Sequence, residues 1–114
     1  MLPRSARLTT PEDFARTTKS GFRATSKSLV GYLYSTGATH PARCGLVISK
    51  NVAGSVGRHK LARQIRHGLI THLNQIPSGS LVVIRVLPNT SYKTLITDLD
   101  KTITSLLEKT MAST

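Results

Sequence analysis

The sequence predicts an α+β fold: a two-layer sandwich in which a mixed sheet of about four strands is packed by helices. Two segments, 55–75 and 91–107, repeat apolar residues with helical spacing. Runs rich in β-branched, aromatic and other apolar residues at 28–35, 44–50 and 81–87 are typical of strands. With a first helix and a short strand before them, the predicted order is α-β-β-β-α-β-α.

A chain of 114 residues is long enough for one domain with a modest core and too short for two domains of usual size. We therefore expect a single domain over residues 1–114, with residues 1–8 flexible and residues 110–114 a frayed tail. Cys44 is the only cysteine, which excludes an internal disulfide. It lies in an apolar strand pattern, so we expect a buried thiol that behaves as a small hydrophobic group.

The first helix is predicted to begin at Thr10-Pro11, because a hydroxyl cap, a proline at the first helical position and two acidic residues follow one another there. It should end near Gly21. A short strand around Phe22 to Thr25 is expected next. The strands at 28–35 and 44–50 are separated by a loop rich in Gly, Pro and Thr, which predicts that they pair as a hairpin.

The helix predicted at 55–75 has two different sides. Its apolar side would face the core and consists of Leu61, Ala62, Ile65, Leu69, Leu73 and Ile76. Its basic side consists of His59, Lys60, Arg63, Arg66 and His67, and Arg58 avoids the apolar direction only because it lies near the helix start. No acidic residue accompanies these cations, so the usual ion pairs along a helix cannot form. The pattern therefore favours a face that binds phosphate groups over a face that is merely solvated.

The strand at 81–87 is almost continuously apolar, which predicts a central position in the sheet. The last helix is predicted to be capped by Thr90 or Ser91. Its apolar stripe would close the core and consists of Leu95, Leu99, Ile103, Leu106 and Leu107.

Charge points to a polyanionic partner. The formal net charge is +11, and between Phe14 and Thr97 there are twelve Lys and Arg and no acidic residue. Folding does not require such a charge, and a continuous positive field attracts nucleic-acid phosphates. The alternative is a merely solvated basic surface, but solvated surfaces normally mix both signs of charge.

Several function classes are disfavoured. No stretch approaches the ~20 apolar residues of a membrane helix, and the N-terminus lacks a signal peptide's apolar segment, so we expect a cytoplasmic protein with no membrane contact. The sequence has no Gly-rich phosphate loop, no central pair of carboxylates and no His-carboxylate set, so no catalytic or cofactor-binding residue is assigned. His67 and His72 are five apart and would not share a helix face, which disfavours a zinc site in the protein.

Aromatic rings beside a basic groove are the usual means of holding single-stranded nucleic acid. The available rings are Phe14, Tyr32 and Tyr34, with Lys50 near the end of the neighbouring strand as a phosphate contact. Each ring has an alternative as an ordinary core residue, because a half-buried strand buries one of its faces in any case.

The segment from Val47 to Arg66 resembles the signature of bacterial ribonuclease P protein subunits. In that family a strand ending in Ser-Lys runs through a Gly-Asn-Ala-Val turn into a helix written Arg-Asn-Arg-x-Lys-Arg-x-x-Arg. The matching positions are Ser49, Lys50, Val52, Val56, Arg58, Lys60, Arg63 and Arg66. The order of elements agrees over nearly the whole chain. The sequence departs from the pattern at Thr18, Ala53, Gly54, His59 and Ala62.

The resemblance implies a protein subunit that binds the catalytic RNA and the 5′ leader of precursor tRNA, without a catalytic residue of its own. It implies contacts to the RNA subunit from Arg58, His59, Lys60, Arg63 and Arg66. It implies leader contacts from Phe14, Arg16, Tyr32, Tyr34, Ser49 and Lys50. Magnesium, held mainly by the RNA, would serve the hydrolysis. A left-handed βαβ crossover around the basic helix is implied as well, and no obligate protein partner.

Two other classes remain open at this point. A ribosomal or other structural RNA-binding protein would share the charge and the fold type, but it would not need a leader cleft or its rings. A free-standing nuclease or a DNA-binding regulator fits less well, because the acidic cluster of the first and the helix-turn-helix of the second are missing from the sequence.

Overall fold

A computed structural model describes residues 6–88, 90 and 93–112 and gives the predicted order of elements. The helices are α1 (Pro11–Ser20), α2 (Ser55–Ile70) and α3 (Leu95–Ala112), and the strands are β1 (Phe22–Thr25), β2 (Leu29–Ser35), β3 (Arg43–Val47) and β4 (Ser80–Val86). The predicted α+β fold with a four-stranded mixed sheet is confirmed.

The strands lie in the order β1-β2-β4-β3. β2 is antiparallel to both β1 and β4, and β3 is parallel to β4, so α2 forms the crossover between the two parallel strands. The central position predicted for the apolar strand is confirmed. The predicted hairpin of β2 with β3 is wrong, because β4 lies between them. β4 is apolar on both faces, and such a strand is best buried between two neighbouring strands. It therefore inserts between β2 and β3, although it follows α2 in the chain.

The pleat gives the sheet two faces, which we name the front face and the back face. The register places these residues on the front face: Arg23, Thr25, Val30, Tyr32, Tyr34, Arg43, Gly45, Val47, Leu81, Val83 and Arg85. The back face carries the main core with α2 and α3, whose fully buried side chains include Leu29, Leu33, Ile65, Leu69, Ile84, Leu99, Ile103 and Leu106. α1 crosses part of the front face.

The ends of the elements differ in detail from the sequence predictions. α1 begins after Thr10, but the Thr10 hydroxyl donates to the Asp13 carboxylate at 2.7 Å instead of accepting a backbone N–H. α2 ends at Ile70 rather than near residue 75, and the chain continues in turns up to Ile76. α3 begins at Leu95, with the Asp98 N–H donating to the Thr94 carbonyl.

The cap predicted at Thr90 is wrong for that residue. Its hydroxyl donates to the carbonyl oxygens of Leu87 and Ser28, since it closes the turn after β4. Ser91, the alternative cap, lies outside the described residues. A buried hydrogen bond of 2.5 Å from the Ser28 hydroxyl to the Asp98 carboxylate ties α3 to the start of β2.

The chain ends were predicted to be flexible at 1–8 and frayed at 110–114. Residues 1–5 and 113–114 lie outside the described residues. Ala6 and Leu8 are buried, and the Leu8 N–H donates to the Cys44 carbonyl at 2.9 Å, so residues 6–8 extend the β3 edge of the sheet. α3 continues to Ala112. Within the described part of the chain, no helix has the length and apolar character needed to cross a bilayer.

The predicted buried thiol is confirmed, because Cys44 is 3% exposed on the back face. Burial raises the pKa of this thiol to about 12. The thiolate is the reactive form, so we expect Cys44 to react slowly with a thiol reagent at pH 8 in the folded protein and rapidly in denaturant. Equal rates in the two conditions, followed by absorbance, would contradict this burial.

Candidate RNA-binding surfaces

α2 separates its apolar and basic residues as the sequence predicted. Leu61, Ala62, Ile65, Gly68 and Leu69 are buried against the core. His59, Lys60, Arg63 and His67 are exposed, and Arg66 is half-buried. We name His59, Lys60, Arg63, Arg66 and His67 the basic face of α2. Four of them, all except Lys60, line a depression of about 260 Å³ in which no carboxylate takes part.

A concave surface lined by two guanidinium groups and two imidazoles is suited to a phosphate backbone. Arg presents several N–H donors in a planar fork that matches phosphate oxygens. The acid-free sequence of the helix leaves this charge unbalanced along the helix itself. The arrangement is suited to the electrostatic part of nucleic-acid binding, which depends on salt.

Arg58 has a local task that the sequence did not reveal. It is half-buried, and its Nη1 donates to the carbonyl oxygen of Ala53 at 3.2 Å, which closes the turn before α2. Gly54 caps the helix at φ −69°, a conformation open to any residue. Gly54 therefore imposes no left-handed backbone on the turn before α2. The predicted contact of Arg58 with RNA stays a prediction.

The front face gathers the three predicted rings. Phe14, Tyr32 and Tyr34 are half-buried and pack around a small apolar cluster of Leu8, Leu81 and Val83. Phe14 reaches this face from α1 and lies directly over Gly45: a Cβ at that glycine would be 2.4 Å from the Phe14 Cζ. Each ring thus rests one part on the protein and leaves another part accessible, as a stacking platform requires.

Arg16 and Asp13 border these rings. The Arg16 guanidinium carbon is 5.5 Å from the centroid of the Tyr34 ring, a cation–π distance, and its Nη2 donates to the Asp13 carboxylate at 2.8 Å. The Thr10 hydroxyl bond and the Arg16 guanidinium lower the pKa of Asp13. Asp13 therefore stays ionised, and its negative charge partly offsets the positive charge of Arg16.

Ser49 and Lys50 follow the end of β3 instead of lying within it. Both are exposed, and the Ser49 carbonyl accepts the Val52 N–H at 3.1 Å in the turn toward α2. They lie in the segment that connects β3, at the edge of the sheet, to α2. Their predicted contact with substrate stays a prediction.

The two surfaces adjoin at Arg66. Besides the depression on α2, Arg66 lines a cavity of about 180 Å³, whose other lining residues are Arg7, Leu8, Thr9, Phe14, Cys44, Gly45 and Leu46. The side chain of Arg66 therefore lies within reach of both the ring cluster and the basic face. The sequence predicted two separate sets of residues, but it did not show that they form one continuous surface around the β3 edge.

Three arginines of the front face were missed as candidates: Arg23, Arg43 and Arg85. Each lies at a register position facing the same way as Tyr32 or Tyr34. The available signal was alternation. Arg85 is the one charged residue of β4, and it alternates with Leu81 and Val83 on the same face of the sheet. Because residues on both faces of this strand are apolar, the sequence did not show which face Arg85 shares.

Comparisons with known proteins identify the family of the chain that carries these two surfaces. A family model for ribonuclease P matches residues 2–111 of the chain. The chain belongs to the ribonuclease P protein family. The ribonuclease P protein component of Streptomyces bikiniensis is 40% identical over 119 aligned positions, covering 94% of this chain and 96% of that one. The component of Streptomyces griseus is 42% identical over 118 positions with the same coverage.

Solved structures agree on the fold. The RNase P protein of Staphylococcus aureus superposes with a TM-score of 0.80 at 20% identity, covering 90% of this chain and 95% of that one. The RNase P protein of Thermotoga maritima gives a TM-score of 0.62 at 21% identity, covering 93% and 92%. The family match makes this chain a protein subunit of ribonuclease P, the enzyme that matures the 5′ ends of tRNA. The partner of this subunit is the ribonuclease P RNA. This favours the first of the functions weighed from the sequence over a ribosomal protein.

Proposed function

We propose that this subunit binds precursor tRNA by holding the single-stranded 5′ leader on the front face, while the basic face of α2 holds the RNA subunit. In this division of labour the RNA carries out the hydrolysis, and the protein supplies affinity and orientation. The observation that carries the proposal is the ring cluster: three half-buried rings share one sheet face that also bears Arg43 and Arg85.

Physical reasoning supports the front face as the place for a single strand. Base stacking on an aromatic ring tolerates any sequence, because every base has a π-face. A leader varies in sequence, so stacking is a suitable means of holding it. Arginines on the same face attract the phosphates between the bases. Asp13, which precedes Phe14 in α1, accepts a hydrogen bond from the Thr10 hydroxyl and forms an ion pair with Arg16.

Magnesium enters the proposal as an ion held mainly by the RNA subunit. Among the described residues, no three or more His, Cys, Asp or Glu side chains lie together in a way that would hold a metal. His72, one of the histidines weighed as a ligand, bonds instead to the Asp100 carboxylate at 2.7 Å. We propose that the protein's own contribution is binding and that its setting is the cytoplasm.

The test compares two substrates with the reconstituted enzyme. Replacing Phe14 or Tyr32 with Ala should weaken binding of precursor tRNA by about 1–3 kcal/mol for each stacked base that is lost. Binding of mature tRNA, which has no leader, should be unchanged. Equal losses for both substrates would mean that the rings serve only the core, and leader binding on this face would be rejected.

The proposal also predicts where cleavage activity lies. At low magnesium, the protein added to a bacterial ribonuclease P RNA should restore cleavage of precursor tRNA, and the protein alone should cut nothing. Cleavage by the protein alone, freed of RNA by nuclease treatment, would overturn the assignment of hydrolysis to the RNA.

A further inference from the structure

Arg85 is an exposed arginine in the middle of the sheet. The other residues of β4 are all buried, and Arg85 alone breaks the pattern. Its neighbours in the adjacent strands are Val30 in β2 and Val47 in β3. Because β4 has a neighbouring strand on each side, Arg85 lies in the interior of the front face and not at the edge of the sheet.

Among the described residues, no carboxylate is paired with the guanidinium of Arg85. Within the part of the chain that the structure describes, it makes no hydrogen bond and no ion pair. The acidic residues of α3 lie on the helix that packs behind the sheet, and Asp13 is engaged with Thr10 and Arg16. An arginine that is surrounded by valines and lacks a carboxylate suits an anion that arrives from outside.

The distance to the rings suits a nucleic-acid strand. Val83 pairs with Tyr32, and Arg85 lies two residues farther along β4 on the same face. Strand geometry makes this step about 7 Å. A nucleotide stacked on Tyr32 and the phosphate next to it can therefore engage the ring and the guanidinium together. Val47, 37% exposed beside Arg85, offers an apolar surface for the next base.

We propose that Arg85 binds a backbone phosphate of the single-stranded leader and so fixes which nucleotides lie on the rings. The inference rests on the proposed function of the front face. The inference adds to that function a phosphate contact, which we name the anchor, that determines which leader nucleotides lie on the rings. A planar guanidinium can hold two phosphate oxygens at once, which a single ammonium group cannot do in the same way.

The experiment uses the reconstituted enzyme and precursor tRNAs with leaders of increasing length. Arg85→Ala should weaken binding about tenfold once the leader is long enough to reach the guanidinium, and should not affect leaderless tRNA. The slope of log affinity against log salt should become shallower by about 0.7, the value for one single-strand phosphate contact. Arg85→Lys should keep the slope and lose part of the affinity.

A second arm keeps the test independent of how the variants fold. Wild-type protein is measured with leaders in which one phosphate at a time is replaced by a neutral methylphosphonate. One position should reproduce the loss seen with Arg85→Ala, and Arg85→Ala should add nothing further at that position. Lys101→Ala, which removes an exposed cation from α3 on the other side of the sheet, is the matched control and should behave as wild type with every leader.

The outcomes separate the two proposals. If Phe14→Ala and Tyr32→Ala discriminate between leader and leaderless substrates but Arg85→Ala does not, the anchor is rejected and the ring platform stands. If no leader phosphate is coupled to Arg85, the anchor is likewise rejected. If neither the ring variants nor Arg85→Ala discriminate, the front face does not bind the leader, and the proposed function fails with it.

Discussion

Replacing Arg63 and Arg66 together with Ala is expected to weaken binding to the ribonuclease P RNA by about 100-fold, since each removes a charge-assisted contact to phosphate. The salt dependence is the sharper measurement. The slope of log affinity against log salt should become shallower by about 0.7 to 0.9 for each lost contact. A slope equal to that of the wild type would reject the basic face of α2 as the binding surface.

The structure allows the two arginines to be distinguished. Arg63 is exposed and lines the depression on α2, whereas Arg66 also lines the cavity beside Phe14. Arg63→Ala should therefore affect RNA-subunit binding equally with or without substrate. Arg66→Ala should in addition change binding of the leader. Neither side chain belongs to the core, so thermal unfolding should be close to that of the wild type and serves as the control.

Gly45→Ala is expected to abolish most of the leader preference without a change in charge. The new Cβ would fall 2.4 Å and 2.6 Å from two ring carbons of Phe14, so the ring must leave its place over β3. The loss of preference should equal that of Phe14→Ala, and the free energy of unfolding should fall by about 1–3 kcal/mol from overpacking. Binding of leader and leaderless substrates and urea unfolding measure the two effects.

A double-mutant cycle tests the cause. Because both changes act on one contact, Phe14→Ala with Gly45→Ala together should lose little more leader affinity than either alone. Gly54→Ala is the matched control, since a Cβ at Gly54 meets nothing within 4 Å and only a modest loss at a helix cap is expected. Unchanged leader affinity in Gly45→Ala would show that the position of the Phe14 ring does not matter.

The sequence predicted the elements better than their assembly. Period and composition were enough for the three helices and for β4 at the centre of the sheet, because burial on one side or on both leaves a regular pattern in the residues. Pairing was not predictable in the same way: adjacency in the chain favoured a hairpin of β2 with β3, but β4 separates them. A long-range pairing leaves no local signal.

The candidate site shows the same division. The position of Arg63 and Arg66 outside the core was predictable, because the apolar and basic residues of α2 separate with the helical period. Their contact with RNA stays a prediction. The role proposed for Arg85 was not predictable, because it depends on which face the residue shares with Tyr32, and this follows only from the register between β2 and β4. The local bond of Arg58 to Ala53 depends on how the preceding turn folds, which residue types alone do not specify.

The central position of β4 also has a consequence during protein synthesis. When the nascent chain has reached the end of α2, it already carries most of its positive charge, but β2 and β3 still lack the strand that joins them. Contacts so distant in sequence form late and slowly. We therefore expect an incomplete chain to attract RNA through charge alone before the front face of the sheet is complete. If the front face binds the leader as proposed, we expect selective recognition only after residues 80–86 have left the ribosome and inserted between β2 and β3.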